Sequence, residues 1–224
     1  MTPSTQSTAN PSAPVTPLSG DWIVTLAMYR AALAAGFTVS PIKESETRRG
    51  IAWQATLSLN GVKVIEASND GDGGADWIDP VFKSANGRDG AAREAAERAR
   101  EALFALPEVH TFLAAFDIDV KKRGGATAEE ALALVAQSGP RVAQDDDAVG
   151  HVISTLAEVR KLLPRLKKVT ESGIHFARAT HQFGQYASVK TIPDTPHARE
   201  KVRQKWPDEF AVFQGFIPDL IAGL

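Results

Sequence analysis

An α+β fold assembled from two units is what these 224 residues predict, and three observations carry that reading. Strand-forming residues alternate with polar ones on both sides of Asn60-Gly61, a strong hairpin signal because a type I′ turn needs positive φ at both central positions. Two long stretches, 90–106 and 149–168, carry helical spacing instead. A second alternating block, 174–191, is followed by Thr195-Pro196, which sets proline at the first position of a helix, where its missing N–H costs nothing.

Taken in order, residues 1–20 are rich in Ser, Thr, Pro and Ala and hold too little apolar surface to offset the entropy of ordering, so they read as a disordered tail. Trp22 to Ala35 reads as a helix with apolar spacing at Ile23, Leu26, Ala27, Arg30 and Leu33, capped by Ser19 or Asp21 and stopped by Gly36. Phe37 to Ile42 is a short strand. The hairpin pairs Ala52–Leu59 with Val62–Ser68, placing Trp53, Ala55, Leu57 and Leu59 on one face. A loop, Asn69 to Asp76, follows. The helix Gly90 to Leu106 presents Arg93, Glu97, Arg100 and Glu101 for pairs on an exposed face, and Glu108 to Phe116 continues as a second helix after Pro107.

Gly124-Gly125 breaks the chain, and Thr127-x-x-Glu130 is a capping-box pattern opening a short helix that ends at Gly139-Pro140. Asp145 to Asp147 suit the positive end of the next helix, Val149 to Lys168. Its stripe is Val152, Leu156, Val159, Leu163 and Leu166, with Pro164 as a kink or end. A second hairpin turns near His181 to Gly184, a helix runs from Pro196 to Lys205, and Glu209 to Gln214 reads as a third strand. The expected organisation is a tail (1–20), an N-terminal α+β unit (21–120), a linker with a short helix (121–148) and a C-terminal α+β unit (149–224).

Composition bounds the function. Cysteine is absent, so there is neither a disulfide framework nor a thiolate metal site, and no apolar run approaches the ~20 residues of a membrane helix. A cytoplasmic protein of a bacterial host is expected, with neither signal peptide nor membrane span. The net charge of −2 conceals asymmetry: 14 Lys+Arg against 20 Asp+Glu over 1–150, 11 against 4 over 151–205, and none against 3 over 206–224. A basic block behind an acidic half suggests a charged partner or a solvated mixed-charge surface.

The segment Gly61-x-Lys63-x3-Ala67-Ser68-Asn69-Asp70-Gly71-x-Gly73-Gly74 resembles a group of uncharacterised accessory proteins of bacteriophages, plasmids and proteobacterial islands, in which a hairpin runs into an NDGxGG loop. The C-terminal third looks similar: Lys167-Lys168 before an aromatic strand, a strand ending at Pro193, then Thr195-Pro196-x3-Glu200-Lys201-Val202 and Lys205-x-Pro207. This chain departs from the pattern with Asp72 where a basic residue is usual, and it lacks the Cys-Asn that tends to follow the paired glycines. The resemblance implies a gene of a mobile element, among which counter-defence proteins are common, and it lends no activity.

The loop's three carboxylates and one amide have Ca²⁺ chemistry but not the EF-hand spacing: counted from Asp70, position five is Gly74, six is Ala75 and twelve is Val81. Phosphate is disfavoured by the aspartates, leaving turn geometry as the leading explanation. His110, His151, His175, His181 and His197 show no paired ligand spacing, and no nucleophile elbow, Walker loop or dinucleotide fingerprint is present. Neither metal nor cofactor is expected, and no catalytic residues are assigned.

The reading reached is a non-enzymatic accessory protein that binds and inhibits a host defence protein or ribonucleoprotein complex by steric contact, in the manner of an anti-CRISPR protein. Candidate contacts are Asp76, Trp77, Arg199, Arg203 and Trp206, with core packing the competing role for both tryptophans. One alternative is nucleic-acid binding by the basic block 160–205 through Lys201, Arg203 and Lys205, with Phe176, Phe183 and Tyr186 available for base stacking. The other is an enzyme of unrecognised type.

Overall fold

A computed structural model describes residues 21–82, 89–178, 181–210 and 213–224. The expected tail, 1–20, lies outside them. The architecture is α+β, with a five-stranded and a three-stranded antiparallel sheet.

Helix α1 (Trp22–Ala34) enters at Asp21, whose carbonyl accepts from Thr25 N, and is stopped by Gly36 at φ 84°. Its buried face is not the expected stripe. Trp22, Leu26, Met28, Tyr29 and Ala32 are buried while Ile23 and Leu33 face solvent. The cause is that α1 is covered on several sides, so a single-sided spacing is a poor guide to its orientation.

The large sheet comprises β1 (Phe37–Val39), β2 (Lys43–Glu46), β3 (Ile51–Leu59), β4 (Val62–Asn69) and β5 (Trp77–Pro80), in the order β1-β3-β4-β5 with β2 also on β3. Asn60 and Gly61 take φ of 51° and 80°, the turn that this pair predicts. A bulge at Leu57/Ser58 shifts the β3–β4 register. The strand expected to reach Ile42 ends at Val39, because the chain crosses Pro41 before re-pairing as β2. Strand β2 is entirely exposed and β5 is only four residues long, so neither carries a readable burial pattern.

One face of this sheet packs on α2 (Gly90–Phe104) and α5 (Asp146–Val169), through Ala55, Leu57, Ile65, Ala67 and Ile78. Helix α3 (Pro107–Arg123) runs past the expected end at Phe116 to Gly124. Arg100 leaves the expected exposed pairing to reach Ile78 O at 3.1 Å and Asp146 at 2.7 Å. Helix α4 (Ala128–Ser138) starts with both bonds of the Thr127–Glu130 capping box. Helix α5 begins three residues before the expected start, with Asp145 as its cap, and passes through Pro164, which stands on the exposed side. There the carbonyl that proline leaves unpaired can take water, so the helix need not end.

The small sheet orders as β7-β6-β8: β6 (Ile174–Arg178), β7 (Ala187–Val189) and β8 (Phe213–Phe216). Helix α6 (Pro196–Lys205) covers it, burying Ala198 and Val202 against Ile174, Phe176 and Phe216. The expected third strand begins later, because a helical turn, α7 (Pro207–Phe210), takes up its first residues. A last turn, α8 (Ile217–Leu220), closes the chain.

The larger core draws on both sides of the expected 121–148 linker. Helix α5 packs across the N-terminal sheet, and Ala177, Ile217 and Ile221 share a cluster with Trp22 and Leu26. Helix α1 is also tied polarly to the later part of the chain: Trp22 N donates to Gln214 Oε1 at 2.7 Å, and Trp22 Nε1 to Gln185 O at 2.9 Å.

Candidate functional site

The loop after β4 is built by its own side chains. Asn69 Oδ1 accepts from Gly71 N at 2.7 Å, and Asp72 Oδ1 accepts from Gly74 N at 3.0 Å, two side-chain turns of the kind Asn and Asp make. Gly71, at φ 72°, lies so close to β3 that a Cβ there would stand 2.5 Å from Ala52 N. The glycine and aspartate pattern is therefore accounted for by the turn and by this close approach.

The loop ends by sending adjacent residues to opposite faces of the sheet. Asp76 turns inward: its Oδ1 accepts from Asn69 Nδ2 at 2.8 Å, and its carboxylate rests on the backbone of Gly150 in α5. Trp77 turns outward opposite Ser68 and is 61% exposed. Around it on the solvent face are Gln54, Thr56, Glu66, Ser68 and Asp79, with Lys43 beyond Gln54. Glu66 and Asp79 stand side by side on this face, with Lys43 apart from them, so among the described residues it has an aromatic ring but no continuous basic track.

Beneath the loop, on the inner side, lies a cleft of about 510 Å³. Helix α3 supplies an apolar wall of Leu113, Phe116 and Val120, spaced three and four apart on one face. The loop supplies Gly73 to Asp76, and the start of α5 supplies Asp147, Ala148 and His151. Arg141 closes one side, held between Asp117 (2.7 Å) and Asp145 (2.5 Å). His151 packs on Phe116 with ring centres 3.9 Å apart and the rings tilted by 36°, and its Nε2 is buried without a hydrogen-bond partner. Burial pulls its pKa down to about 4, with Asp117 opposing and Arg141 reinforcing the shift. Burial raises the Asp76 carboxyl above its ordinary range; the Asn69 bond lowers it and the Asp147 charge raises it further.

The other candidate residues, Arg199, Arg203 and Trp206, lie on α6 and its C-terminal cap, against the small sheet and away from the loop. Arg199 pairs with Asp194 through Nε at 2.5 Å and Nη2 at 2.7 Å, and with Asp219 at 2.8 Å, and lies 4.5 Å over the Phe216 ring. Arg203 covers the same ring at 5.1 Å and approaches Glu200 at 3.9 Å. Trp206 is partly buried against this cluster, with Lys205 4.8 Å from its ring centre. Asp76 and these three residues therefore have structural partners, and of the five candidates Trp77 is the large exposed side chain.

The basic block is likewise engaged. Arg160 donates to Val39 O, Lys161 pairs with Glu44 and Lys167 donates to Leu224 O, while Lys201, Arg203 and Lys205 are exposed on α6. The aromatics named for base stacking all have packing partners, and Phe183 and Tyr186 are only half-buried. Phe176 is buried, Phe183 packs on Trp22 at 4.7 Å, and Tyr186 meets His175 edge-on at 5.5 Å. His175 and His181 share no strand face, since β6 ends at Arg178, whose N–H donates to His181 Nδ1. Among the described residues, no group of three or more His, Cys, Asp or Glu is placed to hold a metal ion.

Sequence reasoning missed the cleft. Asp147 and His151 are four apart on α5, a same-face spacing that could have drawn attention to them. The partners from α3 and from Arg141 carry no local signal at all. Comparison of the chain with protein-family models, curated proteins and solved structures finds no match.

Proposed function

We propose that the chain is a non-enzymatic binding protein that engages a protein partner through the outer face of its large sheet. The observation that carries this reading is Trp77, a large aromatic side chain left 61% exposed on an otherwise polar strand face. Tryptophan is enriched among the few residues that dominate protein interfaces, and the mixed polar groups around it suit an interface rim. A phosphate backbone would demand a run of cations, whereas Glu66 and Asp79 share this face with Lys43.

Given the mobile-element context implied by the hairpin-and-loop resemblance, the partner we propose is a host defence protein or ribonucleoprotein complex, inhibited by steric occlusion. The test is phage plating on a CRISPR-Cas-immune bacterium expressing the chain. Restored plaquing that Trp77→Ala abolishes, with both proteins equally abundant and folded, is the expected outcome. Unchanged immunity across CRISPR-Cas types would discard the defence reading. Equal potency of the variant would discard the surface.

A further inference from the structure

We propose that the cleft between the glycine loop, α3 and α5 is a binding site for an organic cation: an ammonium or guanidinium group carried on an apolar body. Three elements distant in sequence meet here around about 510 Å³ of space, so the cleft belongs to the fold and is not a dent in a single loop. Its two sides differ chemically. Leu113, Phe116 and Val120 form the apolar wall, and Val120 is 44% exposed at it.

Facing that wall are the carboxylates of Asp76 and Asp147, neither in contact with a cationic side chain among the described residues. The nearby cations have other partners: Arg141 lies between Asp117 and Asp145, Arg123 pairs with Asp119, and Arg100 pairs with Asp146. His151 adds no charge near neutral pH, because burial keeps it unprotonated, and its ring with that of Phe116 offers a π surface. The cleft is thus net negative, half apolar and aromatic-walled, which disfavours anions and suits a cation with a hydrophobic stem. The Asp76 pKa is raised first by burial and further by the Asp147 charge, both of which a bound cation would offset. This site lies on the opposite side of the sheet from Trp77 and is independent of the protein-binding reading.

Calorimetric titration with benzylammonium, benzyl alcohol and benzoate tests the site. Saturable benzylammonium binding, at least ~10-fold tighter than benzyl alcohol, with no binding of benzoate, is expected. Asp147→Asn should erase the preference for the cation over the alcohol, and Asp76→Asn should reduce it, with each variant's fold checked by circular dichroism. Methyl NMR shifts should appear at Leu113 and Val120. Equal affinity for amine and alcohol, an undiminished preference in Asp147→Asn, shifts located elsewhere, or no saturation by about 10 mM amine would each overturn the proposal.

Discussion

The carboxylate of Asp76 lies against the backbone of Gly150, so that a Cβ placed on this glycine would stand 2.7 Å from Asp76 Cγ and 2.6 Å from Asp76 Cβ. The glycine is in the interior of α5, at an ordinary helical position, where alanine normally adds about 0.5–1 kcal/mol of stability. Here the sign should reverse. Gly150→Ala has to push the loop off the helix, and we expect a net loss of about 1–3 kcal/mol in urea unfolding. Removing the obstacle, the Asp76 Cβ included, should recover the helical gain, so Asp76→Gly and Gly150→Ala should be strongly non-additive in a double-mutant cycle.

His151 predicts a specific acid sensitivity. Its folded-state pKa of about 4 lies below the ordinary value of 6.5. Above pH 6.5 both states are neutral and the group contributes nothing. Between pH 6.5 and 4 the unfolded chain takes a proton that the folded site refuses, so stability falls, by up to ~3 kcal/mol at and below pH 4. Asp117 and Arg141 act on this ring with opposite signs, and Asp76, whose pKa is raised, shifts acid stability the other way. The measurement is therefore a difference: His151→Phe, which keeps an aromatic ring against Phe116, should lose less stability than the parent between pH 7 and 4. Parallel stability profiles would show that the histidine is not buried neutral.

Trp22 and Trp77 should separate cleanly. Trp22 is fully buried and its indole N–H donates to Gln185 O, so Trp22→Phe leaves that carbonyl without its donor and opens space in the larger core. A loss of about 1–3 kcal/mol is expected. Trp77→Phe alters an exposed ring and should stay within about 0.5 kcal/mol. Thermal unfolding of both variants decides this, and a comparable loss from each would mean that the Trp77 face is covered.

What the sequence disclosed follows from the range of the interactions involved. The Asn60-Gly61 hairpin, the Thr127 capping box, the Thr195-Pro196 start and the α5 stripe depend on residues a few positions apart, and all four stand in the structure. The orientation of α1 was not legible, because a helix contacted from several sides has no single apolar stripe. Strand β2 was hidden by its uniformly polar Lys-Glu-Ser-Glu, which has no apolar alternation to announce its pairing with β3. At the candidate sites, Asp76 and Trp77 were found together but for one shared role. The alternation of a strand separates them, one to the cleft and one to solvent. Arg141, Val120 and His151 enter the cleft only through tertiary packing.

Arg199 gives the sharpest test of whether the charges of α6 serve the fold or a partner. Its guanidinium holds Asp194 with two nitrogens, reaches Asp219 and lies over Phe216, thereby connecting the segment before α6, α6 itself, β8 and α8. The side chain is 22% exposed and its pKa is raised, first by the Asp194 hydrogen bonds and against the effect of burial, so the charge is well compensated where it stands. Arg199→Ala would leave Asp194, only 14% exposed, without its partner. A cost of about 1–3 kcal/mol is expected, reflecting lost charge-assisted hydrogen bonds. Lysine keeps the charge but cannot form the paired nitrogen contacts, so Arg199→Lys should recover less than half of that loss. Lys201→Ala, at an exposed position on the same helix, should leave stability within about 0.5 kcal/mol. If Arg199→Ala proves as harmless as Lys201→Ala in urea unfolding, the arginine is not a structural clamp and is again available to a partner.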